Sequence, residues 1–503
     1  MSAGSSFLAY AFLTAHLLVL GLLCTYALHR YHLVYLFHKH RPQRAQPAAA
    51  WRTPSITIQV PIYNERYVIA ALLDSIRHLD YPRNCLEVQI LDDSTDDTPR
   101  IVQRIVTDMR REGMEIHHLC RAERTGYKAG ALAAGLDGAR GELIAIFDAD
   151  FRPPPGFLKQ ILPYFREEDV GMVQARWGYL NEDHSLLTRL QAMFLDAHFM
   201  IEHFVRHRSG RFFNFNGTAG VWRRTCIETA GGWQADTLTE DLDISYRAQL
   251  AGWRFVFAPE VVVPSELPVE LAAFKTQQHR WAKGSVQTAL KLLPAVLSSP
   301  HPWPVKLEAL FHLAGNLAYL LMIGLLLTLL PSLAARAGLG WQALLWLELP
   351  VLLLATPSVF VFYLTARRAL DRGRGLLHIP PLMALGIGLA VNNSRAVLAA
   401  LLGRTSEFRR TPKHGVGAGR RGWMRKRYRG RLDYSLVLEL LLATWSLVAI
   451  QVAWRHELYV ALPFLALFLW GFTYVAAVAL AQTGGAWCRR RWRTRALIGH
   501  EGG

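Results

Sequence analysis

Residues 55–63 read SITIQVPIY, and residues 65–79, which follow almost directly, read ERYVIAALLDSIRHL. The first stretch predicts a β-strand, and the helical spacing of apolar residues in the second predicts an α-helix. The same order returns further along the chain, with strands at 86–93, 114–119 and 142–150 and helices at 98–111 and 128–139. Strands that alternate with helices of this length predict an α/β domain in which helices cover a parallel sheet.

Polar side chains stand where three of these strands end. The first strand runs into PIYNE (61–65), the second ends in Asp92 and Asp93, and the last ends in Asp148 and Asp150. Either acidic pair alone would be typical of a solvated turn. Because ligands of such sheets bind at the carboxyl ends of the strands, the convergence of all three predicts a binding site at that edge.

The spacing of Asp148 and Asp150 suits a divalent cation. Two carboxylates on either side of one residue can share a hard ion such as magnesium or manganese, Mg²⁺ or Mn²⁺, which then bridges to a diphosphate. Such an ion neutralises the charge that grows on a departing nucleoside diphosphate. Asp92 and Asp93 suit hydrogen bonds to a ribose or a base. Lys128, near a helix start, is placed to reach the diphosphate, although an ordinary surface lysine is the alternative.

The segment LTEDLD (238–243) carries three carboxylates in six residues of a chain whose formal net charge is +17. The dipole of a helix favours acids at its start, which accounts for Asp243. For Asp241 we favour a catalytic role. An inverting sugar transfer needs a base that takes the proton from an acceptor hydroxyl, and a carboxylate at a helix start can be held rigidly against it. Glu240, its neighbour, belongs to the same catalytic set.

The segment QQHRW (277–281) brings Gln277, Arg280 and Trp281 within about one helical turn of each other. Arg280 suits a diphosphate, and Trp281 offers a flat apolar face on which a sugar ring can stack. The alternative is an amphipathic helix at a membrane surface, with Trp281 as its interface anchor.

Apolar residues make up 51% of the chain and are unevenly spread. Residues 7–28 contain no Asp, Glu, Lys or Arg and are long enough to cross a bilayer of roughly 30 Å. They exceed a typical signal-peptide core and lack a basic flank and a clear cleavage site, so we interpret them as a retained helix. Similar runs lie at 308–333, 341–366, 376–402, 434–454 and 457–482. We therefore expect a membrane helix with a basic flank in 1–49, a polar domain in 50–305, and a membrane domain in 306–503 with a basic loop at 403–431.

Basic residues indicate the orientation. No Lys or Arg precedes Arg30, whereas a basic stretch follows the first helix, which places residues 50–305 on the cytoplasmic side of a membrane, as in a bacterial inner membrane. The run at 376–402 has basic residues on both sides and is expected to lie at the interface, which leaves five crossings. Lipid accounts for this charge better than nucleic acid, because the basic runs follow membrane helices. The five cysteines lack CxxC spacing, which indicates neither a zinc site nor a disulfide framework and fits a reducing compartment.

Together, an ordered series of motifs resembles the family 2 glycosyltransferases, in particular the membrane-embedded, processive branch that includes the cellulose synthases. The series is VPIYNE (60–65), LDDSTDDT (91–98), GYKAGAL (126–132), DAD (148–150), QARWGYLNED (174–183), FNGTAGVWRR (215–224), TED (239–241) and QQHRW (277–281). Three of these motifs look most similar to the cellulose synthase-like proteins that make β-mannan or glucomannan, and to their bacterial relatives. The resemblance implies a GT-A type, Rossmann-like domain with a mixed or parallel sheet, inserted between transmembrane helices.

The resemblance also implies roles for single residues. For the donor, it assigns the nucleoside to Asp92 and Asp93, and the rest of the molecule to Lys128, Asp148, Gln277 and Arg280. The metal is assigned to Asp148 and Asp150. Asp241 is the general base with Glu240 beside it, and the acceptor is bound by Trp281, Gly217 and Thr218. In the basic loop, EFRRTPKHG (407–415) resembles the gating loop FxVTxK of cellulose synthases, with Phe408, Thr411 and Lys413 in place and Arg410 where the Val would be. The alternative is a loop that contacts lipid.

The sequence thus predicts an inverting, metal-dependent, processive β-glycosyltransferase. It would extend a mannan, glucomannan or glucan from GDP-mannose or UDP-glucose and pass the product into the membrane, where export partners would take it. One alternative is a non-processive enzyme that adds one hexose to a membrane lipid. Another is a transporter or scaffold without catalysis, which the complete set of acidic positions disfavours. Donor, linkage and oligomeric state stay open.

Overall fold

The computed structural model describes residues 3–40, 52–336, 340–372, 375–408, 410–416 and 434–498. Its strands are β1 Ile56–Ile62, β2 Leu86–Asp92, β3 Glu115–Cys120, β4 Leu143–Ile146, β5 Val170–Tyr179, β6 Gly220–Arg223 and β7 Arg254–Ser265. The helices that precede or accompany them are α1 Ala3–Lys39, α2 Ile69–Arg77, α3 Thr98–Arg111, α4 Tyr127–Asp137, α5 Phe157–Ile161, α6 Leu186–Ala197, α7 Phe204–Arg208, α8 Arg224–Thr229, α9 Glu240–Leu250 and α10 Leu271–Ser298. The helices after them are α11 Trp303–Ala314, α12 Leu317–Arg336, α13 Gly340–Ala369, α14 Ile379–Gly388, α15 Ala390–Leu401, α16 Ser435–Arg455 and α17 Leu462–Ile498.

Within the described residues, the seven strands form one sheet in the order β3-β2-β1-β4-β6-β5-β7. Strand β1 pairs in parallel with β2 and β4, β2 pairs in parallel with β3, and β5 pairs in parallel with β7. Strand β6 runs antiparallel to both of its neighbours, β4 and β5. The predicted α/β domain with a mixed or parallel sheet is therefore confirmed in its mixed form, and apolar helices flank it on both sides in sequence.

The central strands are buried on both faces, as near-continuous apolar runs require. All seven residues of β2 are buried. The polar side chains on β1 and β2 are satisfied across the parallel register: Thr57 donates to Glu87 at 2.6 Å and Gln59 to Gln89 at 3.0 Å. These two hydrogen bonds reduce the cost of burying polar side chains at the centre of the sheet, where the carboxamide oxygen of Gln59 is left without a partner.

The apolar segments form helices that differ in part from the predicted runs. Among the residues that the structure describes, three candidate spans, 10–39, 435–455 and 459–482, are long and apolar enough to cross a membrane. Up to five result if each of two bent helix pairs is one span. The predicted run at 308–333 is such a pair, α11 and α12, bent by 62°. The run at 376–402 is the other, α14 and α15, bent by 42°. The number of crossings and the interfacial position of 376–402 stay predictions.

Buried ion pairs join the polar domain to the apolar helices. Arg206 on α7 donates to Glu308 on α11 at 2.9 Å, and His29 on α1 lies 3.1 Å from the other oxygen of the same carboxylate. Lys275 on α10 donates to Glu439 on α16 at 2.5 Å. Since a buried charge is costly unless it is paired, these contacts fix how the domain lies against the helices.

Candidate active site

One cavity collects nearly all of the predicted site residues. It lies at the carboxyl ends of β1 and β4 and is also lined by the start of α9 and the middle of α10. The predicted residues that line it are Asp93, Lys128, Asp148, Asp150, Gly217, Glu240, Asp241, Gln277, Arg280, Trp281, Phe408, Thr411 and Lys413. Two do not line it: Asp92, and Thr218, whose hydroxyl accepts from the backbone N–H of Asp148 at 2.9 Å. Residues far apart in sequence therefore meet at the predicted edge of the sheet.

Asp148 and Asp150, which follow β4, each accept a hydrogen bond from a lysine ammonium group. Asp148 Oδ1 accepts from Lys128 Nζ at 2.6 Å, and Asp150 Oδ2 accepts from Lys413 Nζ at 2.7 Å. Burial opposes the charge on Lys128, but Asp148 and Glu240 outweigh it and raise the pKa of that lysine. The two carboxylates supply oxygen ligands, which Mg²⁺ or Mn²⁺ prefers, and each already binds a positively charged group in the same cavity. These residues therefore fit a divalent cation.

Asp241 has the environment of a general base. Its side chain is half-buried in the cavity wall, and this burial together with the adjacent charge of Glu240 raises its pKa to about 7, although Lys128 and the backbone N–H of Leu242 oppose the shift. That N–H donates to Asp241 Oδ1 at 2.8 Å and so orients the carboxylate. A base works best with a pKa near the operating pH, which is the state of Asp241 here. The nearby Asp243 instead binds Arg247 and Lys291, at 2.8 Å each.

Helix α10 positions the segment that carries Asp241. Its Gln287 accepts from the backbone N–H of Leu238 at 3.0 Å, and the hydroxyl of Thr288 lies 3.4 Å from that of Thr239. The close approach needs a glycine, because a Cβ at Gly284 would lie 2.5 Å from the Thr239 side chain. Gln277, Arg280 and Trp281 stand on the same helix, so the predicted base and the predicted donor and acceptor groups are fixed to one element.

Two arginines that the sequence interpretation did not single out lie at the predicted nucleoside end of the cavity, where Asp93 stands: Arg124 is in the lining and Arg121 is beside it. Arg121 binds Asp93 through two hydrogen bonds, of 3.0 and 2.5 Å, and the guanidinium of Arg124 lies 3.5 Å from the ring centroid of Tyr63. Asp92, predicted to act together with Asp93, is turned away from the cavity and contacts His118 Nε2 at 2.8 Å. Both arginines follow the end of β3, so the strand-end argument used for the acidic residues would have found them.

The described part of the basic loop, residues 403–408 and 410–416, contributes side chains to the cavity mouth, whereas residues 409 and 417–431 of the predicted loop lie outside the described residues. Arg280 places its guanidinium 4.5 Å from the ring centroid of Phe408, Arg410 donates to both carboxylate oxygens of Glu65 at 2.8 and 2.6 Å, and Lys413 holds Asp150. Burial raises the pKa of Glu65 to about 7 even though Arg410 opposes the shift. The remaining cavity volume is about 160 Å³, whereas ligand pockets usually have roughly 300–1,000 Å³. Loop residues therefore contact the side chains that are predicted to bind the donor and its metal ion, and they fill part of the cavity.

Glu266 anchors this loop through its backbone. Its two carboxylate oxygens accept from the N–H groups of His414 and Val416 at 2.8 and 3.0 Å, and its own carbonyl accepts from Lys413 at 2.6 Å. Glu266 is not among the predicted site residues, because the segment between β7 and α10 that contains it carries none of the motifs used for the prediction. The loop is therefore also held by a carboxylate that is neither a predicted catalytic residue nor a predicted metal ligand.

We expect Glu266→Ala to detach the loop. Hydrogen bonds to a charged group contribute about 1.5–3 kcal/mol, so their loss should speed trypsin cleavage after Arg404, Arg410 or Lys413 by about tenfold or more. The measurement is the rate of cleavage at these sites in the purified full chain. Glu168→Ala, which removes an exposed glutamate, is the matched control. Equal cleavage rates in the two variants would contradict the anchoring role.

The comparisons with known proteins define the class first. Residues 54–284 match the family model described as "Glycosyltransferase like family 2", so the domain that carries the cavity is a glycosyltransferase domain. It is a domain of family 2, so the resemblance to this family that the motifs indicate is confirmed, whereas the processive character stays a prediction. The predicted GT-A type fold, with apolar helices flanking the domain, is confirmed with it.

Two curated relatives that this domain matches are plant proteins. The chain is 43% identical over 249 residues to "Glucomannan 4-beta-mannosyltransferase 1" of Oryza sativa subsp. japonica, which is 48% of this chain and 48% of the relative. It is 41% identical over 251 residues to "Glucomannan 4-beta-mannosyltransferase 2" of Arabidopsis thaliana, which is 48% of this chain and 47% of the relative. The chain thus spans about half the length of the curated relatives it matches.

Among solved structures, the chain is similar to the mannosyltransferase PcManGT from Pyrobaculum calidifontis, whose structure is a complex with GDP-Man and Mn²⁺. The identity is 25%, the similarity covers 73% of this chain and 98% of that chain, and the TM-score is 0.48.

Proposed function

We propose that this chain is an inverting, metal-dependent β-glycosyltransferase that transfers mannosyl units from GDP-mannose to a growing β-1,4-linked glycan. The observation that carries the proposal is the meeting, in one cavity, of Asp241 with a pKa raised to about 7, the Asp148–Asp150 pair and the QQHRW helix. The choice of mannose over glucose rests on the names of relatives that are 41–43% identical to the domain. It is therefore a separate part of the proposal with its own test.

In the proposed reaction, the acceptor hydroxyl attacks the anomeric carbon of the donor sugar while Asp241 takes the hydroxyl proton. The new glycosidic bond forms on the face opposite the diphosphate, the bond from the anomeric carbon to the diphosphate oxygen breaks, and the nucleoside diphosphate leaves with the electron pair. Arg280 and Lys128 stabilise the charge on the diphosphate, since charge-assisted hydrogen bonds are the strong ones in such sites. Trp281 holds the terminal sugar of the acceptor against Asp241.

Asp148 and Asp150 would hold the divalent cation, which supplies charge neutralisation at the departing diphosphate. Lys413 donates to Oδ2 of Asp150, so this oxygen becomes available to a metal ion only when the ammonium group withdraws. Phe408 covers Arg280 in the same way. We propose that residues 404–408 and 410–416 leave these contacts when the donor enters, and that the contacts described above are those of the donor-free position. The gating loop that this segment resembles closes over the donor, so the same residues would then cover the bound nucleotide sugar.

Three candidate spans support a membrane location, and the basic residues after α1 support a cytoplasmic position of the domain. Processive extension and passage of the glycan into the membrane are parts of the same proposal. Activity in sealed inverted vesicles that is absent from sealed right-side-out vesicles would support the orientation. The reverse result would place the domain on the outer side.

The test of function is transfer in membranes that contain the full chain. With Mg²⁺ or Mn²⁺ and radiolabelled GDP-mannose, we expect long chains that β-mannanase degrades, little product from UDP-glucose, and no product after chelation of the metal. Membranes with Asp241→Asn are the control for background enzymes. Long glucan from UDP-glucose alone would correct the donor and keep the enzyme class.

Two other outcomes would overturn the polymer proposal. A single lipid-soluble monoglycoside would identify the enzyme that adds one hexose to a membrane lipid. Absence of label from every product with both donors, in membranes where the protein is folded, would favour the scaffold or transporter without catalysis. Separation of the products by size and by solubility in organic solvent distinguishes all of these results in one experiment.

A further inference from the structure

Three side chains outside the proposed reaction converge where β2 and β3 end. Asp92, His118 and Cys120 each offer one ligand atom, and the three atoms lie within 4.8 Å of one another. Among the residues that the structure describes, this is the one group of three or more His, Cys, Asp or Glu residues with that proximity. The strand register produces it, because Asp92 stands opposite Cys120 and His118 lies two residues before Cys120 on the same strand.

The distances within the cluster are close to those of a preformed metal site. His118 Nε2 lies 2.8 Å from Asp92 Oδ2 and 3.6 Å from Cys120 Sγ. Zinc bonds of about 2.0–2.3 Å in a tetrahedral site put ligand atoms roughly 3.3–3.7 Å apart. The nitrogen and sulfur already have this spacing, and the nitrogen and oxygen need to separate by about half an ångström.

A neighbouring amide orients the histidine. The carboxamide oxygen of Gln103 on α3 lies 3.2 Å from His118 Nδ1. An amide oxygen accepts hydrogen bonds, so this contact suits the tautomer in which Nδ1 carries the proton, and that tautomer leaves Nε2 as the nitrogen that can bind a cation. Metal-binding histidines have this arrangement, in which the second ring nitrogen is tied to an oxygen.

We propose that Asp92, His118 and Cys120 bind a zinc-class divalent cation at a second metal site, separate from Asp148 and Asp150. Thiolate and imidazole ligands favour zinc, whereas the all-oxygen pair in the donor cavity favours magnesium or manganese. The Asp92 side chain is fully covered, while Cys120 is exposed and gives the ion a path from solvent. Three protein ligands leave a fourth position for water.

The site borders the donor cavity through the chain itself. Asp93 follows Asp92, Arg121 follows Cys120, and Asp93 and Arg121 bind each other at the nucleoside end. A bound ion would therefore fix both backbone segments that carry this pair. This consequence rests on the proposed function, whereas metal binding itself does not. The cysteine spacing in the sequence indicated no zinc site, because the third ligand comes from a neighbouring strand.

The test uses the full chain, purified in detergent and stripped of metal with a chelator. We expect cobalt(II) to bind with the charge-transfer absorption of a cobalt–thiolate bond, and zinc to displace it. Cys120→Ser and His118→Gln should each abolish this absorption. Asp150→Asn, which alters the other pair, should leave it intact. Cys85→Ser is the matched control, since Cys85 is another free cysteine close to the start of β2.

Gln103→Ala provides a second measurement that does not remove a ligand. Loss of an outer hydrogen bond typically weakens metal binding roughly 10–100-fold, so the zinc dissociation constant, measured against a competing dye, should rise by that factor. Absence of the thiolate absorption in the unaltered chain, or its persistence in Cys120→Ser or His118→Gln, would overturn the proposal. Because the readout is metal binding, it stands apart from any failure to detect sugar transfer.

Discussion

Asp241→Asn is expected to lower kcat by about 10²–10⁴-fold and to change the KM for the nucleotide sugar only a few-fold. The asparagine keeps the shape of the side chain, and its amide oxygen can still accept from the N–H of Leu242, as Asp241 Oδ1 does now at 2.8 Å. It loses the ability to take a proton from the acceptor hydroxyl. The donor groups Lys128 and Arg280 remain, so the loss should fall on kcat.

The matched control is Asp236→Asn. This carboxylate lies five residues upstream, is exposed and pairs with Lys291, so its replacement removes one negative charge near α9 without touching the cavity. We expect its kcat to stay within about twofold of the unaltered enzyme, as for most surface substitutions. A kcat for Asp241→Asn within tenfold of that value would rule out Asp241 as the general base.

The pH profile tests the same assignment without a mutation. Burial and the charge of Glu240 raise the pKa of Asp241 to about 7, and only the ionised form accepts a proton. The rate should therefore be maximal above pH 7 and fall as the pH decreases, by roughly tenfold for each unit below the midpoint. Glu240→Gln removes the charge that contributes to the shift, so this midpoint should move to lower pH. A profile that is flat between pH 5 and 8 would contradict the assignment.

The organisation of the site could be predicted because it follows from local sequence patterns. Strand and helix periodicities are local, and parallel strands bring their carboxyl ends to one edge, so residues as distant as Asp93 and Asp148 were expected to meet. The sequence could also have predicted that only one of Asp92 and Asp93 lines the cavity. Successive side chains of a strand point to opposite faces, so only one of two adjacent aspartates at its end can face the cavity.

What could not be predicted depends on contacts between distant segments. Arg410 breaks the FxVTxK pattern, and the reason is visible only in the fold, where it binds Glu65 across 345 positions of sequence. The cluster of Asp92, His118 and Cys120 likewise depends on strand register. The bends between α11 and α12 and between α14 and α15 lie within apolar runs whose composition alone predicts straight spans. In each case the sequence supplies the residues, and packing decides which of them meet.

Gly217→Ala is expected to reduce kcat by about 100-fold or more, because displacement of a catalytic group by about 1 Å can have that effect. Gly217 lines the cavity with a φ of +79°, and a Cβ at this position would lie 2.8 Å from Asp241 Oδ2 and 3.3 Å from Lys128 Nζ. The carboxylate is half-buried and its other oxygen is held by the N–H of Leu242, so it can move away only by giving up that hydrogen bond. The added methyl group should therefore displace the base, the lysine or both.

Gly210→Ala separates this effect from backbone strain. Gly210 has a similar φ of +67°, but nothing lies within 4 Å of a Cβ built there. Both alanines have the left-handed backbone cost of about 1–2 kcal/mol, so both variants should lower the Tm by similar amounts, measured on the purified protein. Only Gly217→Ala should lose turnover per folded molecule. Equal activity losses in the two variants would mean that strain, not contact with Asp241, explains the glycine. Full activity of Gly217→Ala would show that the carboxylate does not act from the position it has here.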